Sequence, residues 1–155
     1  MAALAVRDGD NDSRIVDACC GTGQLTRAMI AEGVHPSAIV GFDANAELVD
    51  LYERLYPEAA ALRMQFHEID FRCENVIANP PFEIGACTAF LQWLSRTQHP
   101  GDYAVLLLPY GFIDKQRSKA VPETMRHFIV HHRTPMQEQF ARTNCRAEIV
   151  ILERA

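Results

Sequence analysis

Asn79-Pro80-Pro81-Phe82 is the run of this sequence whose residue types best suit holding a reacting group. The Asn79 side-chain oxygen and the Pro80 carbonyl are two hydrogen-bond acceptors on a stiff turn. Each proline fixes its own φ and keeps the residue before it extended, so the two acceptors stay convergent. Phe82 adds a flat apolar face. Two acceptors fit the two N–H bonds of an amino group, and the face fits an aromatic ring carrying it, as in adenine. Such an amine is a poor nucleophile because its lone pair is delocalised into the ring. Accepting both hydrogens favours a more tetrahedral nitrogen, with the lone pair free for attack and no strong base required first.

A second run lies 58 residues upstream, where Gly21-Thr22-Gly23 follows the apolar Ile15-Val16-Asp17-Ala18. Glycines at a strand-to-helix turn tolerate positive φ and let a ligand approach the backbone. Asp43, 22 residues after Gly21 at the end of another apolar run, suits the two hydroxyls of a ribose. Asp70 beside Phe71 suits an adenine amino group and its ring. Thr26 stands where a dinucleotide fingerprint wants a third glycine, which weakens a nicotinamide reading. Asp17, just before the turn, points the same way, because a carboxylate repels a pyrophosphate and suits an ammonium or a sulfonium-bearing amino acid.

These loops need strands to present them. Residues 15–18, 39–42, 64–69, 75–78, 103–108, 136–140 and 147–152 read as seven strands. Helices are expected from about Leu25 to Gly33, from a cap at Asn45 to Pro57, over 84–95 and over 122–131. Alternation of strands and helices implies a Rossmann-like α/β fold, a doubly wound, mostly parallel sheet with helices on both faces. Trp93 in the helix after the fourth strand reads as core. Leu108-Pro109-Tyr110-Gly111-Phe112 follows the fifth strand. It should overhang the tetrad, with Tyr110 and Phe112 packing around a base and Lys115, Arg117 and Lys119 reaching phosphates. On the expected 122–131 helix, His127 and His131 share a face with His132 beside them. No cysteine or convergent carboxylate completes a metal set, so a helix end or phosphate contacts fit better.

The 155 residues suit one domain, which buries roughly 68–70% of its unfolded surface. Residues 1–13 read as a flexible lead-in and 14–155 as a single catalytic domain. No apolar run is long enough to span a bilayer, and the N-terminus lacks the features of a secretory signal, so a cytosol, bacterial or of a phage-infected host, is expected. The five cysteines form no CxxC pair and are expected to be reduced, mostly as small core residues. A net charge of −5 gives no general attraction to a polyanion, yet residues 114–146 carry seven Lys or Arg against three acids, a local basic face.

Together the two loops resemble those of the class I S-adenosylmethionine-dependent methyltransferases, and more closely the N6-adenine-specific DNA methyltransferases. Asp17-Ala18-Cys19-Cys20-Gly21-Thr22-Gly23 is similar to their cofactor loop D-P-x-x-G-x-G, with Ala18 in place of the common proline. Asn79-Pro80-Pro81-Phe82 matches their [DNS]-P-P-[YFW] tetrad in full. The likeness runs from about Arg14 to Glu153. It implies S-adenosylmethionine as cofactor, with Asp17, Cys19, Cys20, Gly21 and Gly23 around its methionine part, the cysteines through their backbone. It further implies Asp43 on the ribose, Asp70 and Phe71 on the adenine, Asn79 and Pro80 on the target amine, and Phe82 stacked on the target ring.

Sequence-specific members of that family carry a separate target-recognition region, for which no insertion here is large enough. Target choice is therefore expected from short loops, from nonspecific binding, or from a protein partner or second copy of the chain. DNA is the expected substrate, ahead of RNA, because the chain resembles compact DNA adenine enzymes. Small enzymes acting on structured RNA also carry an N-P-P-F tetrad, and release-factor glutamine methyltransferases carry N-P-P-Y, from which Phe82 departs. A non-catalytic cofactor-binding subunit would show a damaged loop or tetrad; both are intact.

Overall fold

The shortest apolar runs build the centre of the molecule. In the computed structural model, which describes residues 14–114, 119–136 and 146–155, β1 (Ile15–Ala18) lies between β2 (Ile39–Asp43) and β4 (Asn75–Ala78), parallel to both. β3 (Ala60–Arg63) extends the sheet beyond β2, and β5 (Tyr103–Pro109) extends it beyond β4, again in parallel. β7 (Ala147–Arg154) inserts antiparallel between β5 and the edge strand β6 (Phe128–Pro135). Among the described residues the order is β3-β2-β1-β4-β5-β7-β6. This is the doubly wound, mostly parallel seven-stranded sheet expected from the sequence.

Both faces of the sheet are covered, which is why its strands are apolar in succession rather than alternating with polar residues. Val16, Ala18, Val76, Ala78, Leu106 and Leu108 point to one side, against α3 (Ile84–Thr97) and α4 (Ala120–Met125). Ile15, Ile39, Ile77 and Val105 point to the other, against α1 (Gln24–Ala31) and α2 (Ala46–Leu55). Asn45 caps α2, its side-chain oxygen accepting from Glu47 N at 3.0 Å. Trp93 is buried as expected, among Phe42, Phe66 and Phe90 at ring-centroid distances of 5.0–5.9 Å. Its indole N–H donates to the Ile69 carbonyl at 3.1 Å, satisfying its one polar atom.

Two stretches depart from the sequence reading. The alternation over 64–69 predicts a strand, but the third strand is Ala60–Arg63; the ladder ends as Met64 N donates to Asp43 O at 3.1 Å. Residues 66–68 then form a 3₁₀ turn, closed by Gln65 N donating to the Glu68 carboxylate at 2.6 Å. The helix expected over 122–131 stops at Met125, and β6 begins at Phe128. There the β-branched Ile129 and Val130 pair with β7, so pairing overrides local periodicity. His131 and His132 therefore sit on an edge strand. His131 stacks on Tyr103 at 5.4 Å and meets Glu153 at 2.6 Å, while His132 bonds Thr134. β6 ends at Pro135, and the strand expected over 136–140 lies, apart from Met136, outside the described residues.

Candidate active site

Strand order decides what can meet at the carboxyl edge of the sheet. The chain winds outward from β1 through β2 and β3, then returns to the other side of β1 as β4, so the crevice of this α/β sheet opens between β1 and β4. Ala18 is directly opposite Ala78 in the parallel register. The glycine loop and the tetrad thus leave adjacent strands at the same height, ~4.8 Å apart across the ladder. Ala18 also pairs with Phe42, which sets Asp43 on the loop's other flank.

The loop is held mainly by its neighbours' polar atoms. Gly21 N donates to Asp43 Oδ2 at 3.0 Å, and Asn45 N to Asp43 Oδ1 at 2.9 Å. Cys20 N donates to Phe42 O, and Gly23 N to Cys20 O. Cys19, Gly21 and Gly23 all have positive φ, at 58°, 54° and 78°. The two glycines differ in reason. A Cβ on Gly21 would meet nothing within 4 Å, so that position borders open space. A Cβ on Gly23 would lie 2.3 Å from the Tyr56 ring and 3.0 Å from Tyr52. Gly23 is a packing glycine, gripped by two tyrosines of α2 and its end, and Tyr56 OH donates to its carbonyl at 3.0 Å.

Asp17 is fully enclosed. Its Oδ2 accepts from Thr26 N at 3.0 Å and from Thr26 Oγ1 at 2.6 Å, while Oδ1 is buried without a partner among the described residues. Burial raises its pKa to about 6, against the lowering effect of the two Thr26 bonds, with nearby Asp43 adding to the rise. Burial likewise pushes the Cys19 thiol up to about 12 and raises that of Cys20, so both stay protonated and serve through backbone and volume.

In the tetrad, Asn79 and Pro81 are exposed, Pro80 is buried and Phe82 is half-buried. The Pro81 carbonyl is tied down by the Cys87 thiol at 3.1 Å, and Cys87 N bonds Glu83 O, fixing the turn to the first turn of α3. Asp70 and Phe71 are exposed, Phe71 by 44%, and follow the 3₁₀ turn rather than ending a strand.

β5 runs three residues beyond Leu106, the partner of Ala78, so the following loop stands ~10 Å above the β4 tip. Tyr110 is exposed there by 49%. Phe112, expected to flank a base, is instead 1% exposed and part of the core beside α4, because Phe112 N bonds back to Pro109 O and turns the ring inward. Lys119 is exposed ahead of α4, and Lys115 and Arg117 lie outside the described residues.

Sequence reasoning missed the clamp under this loop. Glu148 of β7, 1% exposed, accepts from Gly111 N at 2.9 Å and from Arg133. Arg133 also grips Asp114 at 2.7 and 3.0 Å, which holds the Asp114 carboxyl below its usual range. A glutamate inside the apolar run Ala147–Leu152 was the available signal. Arg133 counted toward the basic face, but its charge is taken up by these two carboxylates. Tyr52 and Tyr56 were legible only as apolar positions of a helix.

The model of a family described as "Methyltransferase domain" matches residues 15–106, which hold both loops. No curated protein sequence matches the chain. Among solved structures, magnesium protoporphyrin IX methyltransferase from Synechocystis PCC 6803, with bound S-adenosylmethionine, superposes with a TM-score of 0.74 at 15% identity over 99% of this chain and 76% of that one. A candidate RNA methyltransferase from Pyrococcus horikoshii gives 0.71 at 20% identity over 99% and 79%. The ribosomal protein L11 methylase of Lactobacillus delbrueckii subsp. bulgaricus gives 0.70 at 15% over 99% and 76%. Those three are named for a porphyrin, an RNA and a protein, so the shared fold leaves the methyl acceptor open. Through the match over 15–106, the chain belongs to the methyltransferase domain family, as a class I enzyme whose cofactor is S-adenosylmethionine.

Proposed function

We propose that the chain transfers the methyl group to the exocyclic N6 of adenine in DNA. The observation that carries this reading is the register of Ala18 with Ala78, which starts the tetrad, at Asn79, beside the start of the glycine loop. In this reading Asn79 and the Pro80 carbonyl accept the two N–H bonds of the target, and Phe82 stacks on its ring, worth ~1–3 kcal/mol per base. The cofactor supplies a methyl already activated on a sulfonium. The protein's task is then alignment, an effect worth up to ~7–11 kcal/mol. The proton leaves after the methyl has arrived.

The residues on the β1 and β2 side fit the cofactor. Gly21 borders open space where a ligand can reach the backbone, and Asp17 Oδ1 is a buried acceptor with no donor among the described residues, suited to an ammonium. Asp43 spends one lone pair of each oxygen on Gly21 and Asn45, leaving others for ribose hydroxyls. Exposed Asp70 and Phe71 suit the cofactor's adenine. Tyr110 forms the opposite wall of the target pocket, and Lys115, Arg117 and Lys119 meet phosphates. A duplex adenine must be flipped out to enter. A protein partner or a second copy of the chain supplies target recognition, in a cytosolic setting.

RNA is the second reading, favoured by the N-P-P-F tetrad itself, which suits any unstacked adenine. Parallel transfer of labelled methyl to DNA, ribosomal RNA and a release factor, followed by nucleoside and peptide mass analysis, separates these acceptors. N6-methyladenine in DNA is expected. Label confined to RNA or to glutamine in the release factor contradicts the proposal.

A further inference from the structure

Tyr52 and Thr26 are both fully buried, and their hydroxyls lead to Asp17, the buried acid at the start of the glycine loop. Thr26 Oγ1 lies 2.6 Å from Asp17 Oδ2 and 2.8 Å from the Tyr52 hydroxyl. A threonine hydroxyl has a single proton. When Asp17 is a carboxylate, that proton goes to it, so Tyr52 O–H must donate to Thr26. The result is a directed chain, Tyr52 to Thr26 to Asp17, whose members polarise one another. Oδ2 accepts from both Thr26 Oγ1 and Thr26 N, and Oδ1 has no partner among the described residues.

We propose that Thr26 and Tyr52 are positioning residues of the cofactor site. Their hydroxyl chain holds Asp17 in one rotamer as an anion and turns Oδ1 toward the cofactor's ammonium. This rests on the proposed role of Asp17 and adds what sustains it. The groups bearing on Asp17 are Thr26 from α1, Tyr52 from α2 through Thr26, the protonated Cys19 and Cys20 thiols of the loop, and Asp43 at the end of β2. β4 presents the apolar Ile77 opposite it. None of these is a cation, so burial and Asp43 work against the anion and the Thr26 bonds work for it.

The test is equilibrium binding of S-adenosylmethionine to the full chain by calorimetry between pH 5 and 7.5, where the ligand's ammonium stays largely protonated. Wild-type affinity should rise with pH as Asp17 ionises. For Thr26→Val, which keeps the backbone bond and loses the hydroxyl, the rise should move up by about one pH unit, giving roughly 5- to 10-fold weaker binding at pH 5.5 and a difference within about twofold at pH 7.5. Tyr52→Phe should move it less, in the same direction, and Thr26→Ser should restore the wild-type profile. Asp17→Asn should bind weakly with no pH dependence. A Thr26→Val profile parallel to wild type, lowered equally at every pH or unchanged, overturns the hydroxyl chain while leaving Asp17 its role. Wild-type binding by Asp17→Asn overturns both.

Discussion

Two glycines two positions apart carry different physical demands, and mutation should separate them. Gly21→Ala adds only the cost of a left-handed φ, about 1–2 kcal/mol. Gly23→Ala adds that cost and a methyl 2.3 Å from the Tyr56 ring, so chemical denaturation should show it losing clearly more stability than Gly21→Ala. Asp17 gives a second prediction. Its folded pKa of about 6 lies above the ordinary carboxylate value, so the folded chain binds that proton more tightly than the unfolded chain. Its ionisation therefore weakens the ligand-free protein above pH 6, and stability recovers as pH falls from 6 to below 4. Asp17→Asn should remove about 3 kcal/mol of that pH dependence, read as the difference between the two proteins' unfolding curves across this window. At this scale the positions of the tetrad after β4 and of the glycine loop after β1 were readable, because both follow short apolar runs and are marked by proline and glycine. Phe112 was not, since its direction is set by a backbone turn, and neither was the hydroxyl chain, since Thr26 and Tyr52 meet only once α1 and α2 are packed.

Elements were legible where periodicity and caps agreed, as for α2 between Asn45 and Pro57, and illegible where a partner strand decides. Phe128-Ile129-Val130 can serve a helix or a strand until β7 is beside it, and the alternation of 64–69 has no neighbour left to pair with once β3 has ended. The loop after β5 depends on such a remote partner too, because Glu148 of β7 and Arg133 of β6 hold it. Glu148→Ala leaves the Gly111 amide without its acceptor and Arg133 paired with Asp114 alone, and should cost about 1–3 kcal/mol of stability. Amide hydrogen exchange over residues 110–114 should quicken in that variant more than exchange in β1 or β4. Equal change in all three would mean the clamp supports the whole sheet rather than this loop.

The whole molecule carries a net charge of −5, so any grip on nucleic acid must be local, and pairing of Arg133 with Glu148 and Asp114 removes one cation from that face. If Lys119 meets a phosphate, Lys119→Ala should lower the slope of log affinity against log salt by about one, with little effect on cofactor binding. An unchanged slope would take Lys119 out of the interface. The order β3-β2-β1-β4-β5-β7-β6 was foreseeable as a class from the alternation of strands and helices, and it is what brings distant loops to one crevice. The central claim, that Asn79 holds the acceptor while the glycine loop holds the cofactor, is tested most directly by Asn79→Ala assayed in one preparation for methyl transfer to DNA and for S-adenosylmethionine binding. Transfer should disappear with binding intact. Undiminished transfer, or loss of cofactor binding in a variant that remains folded, would contradict it.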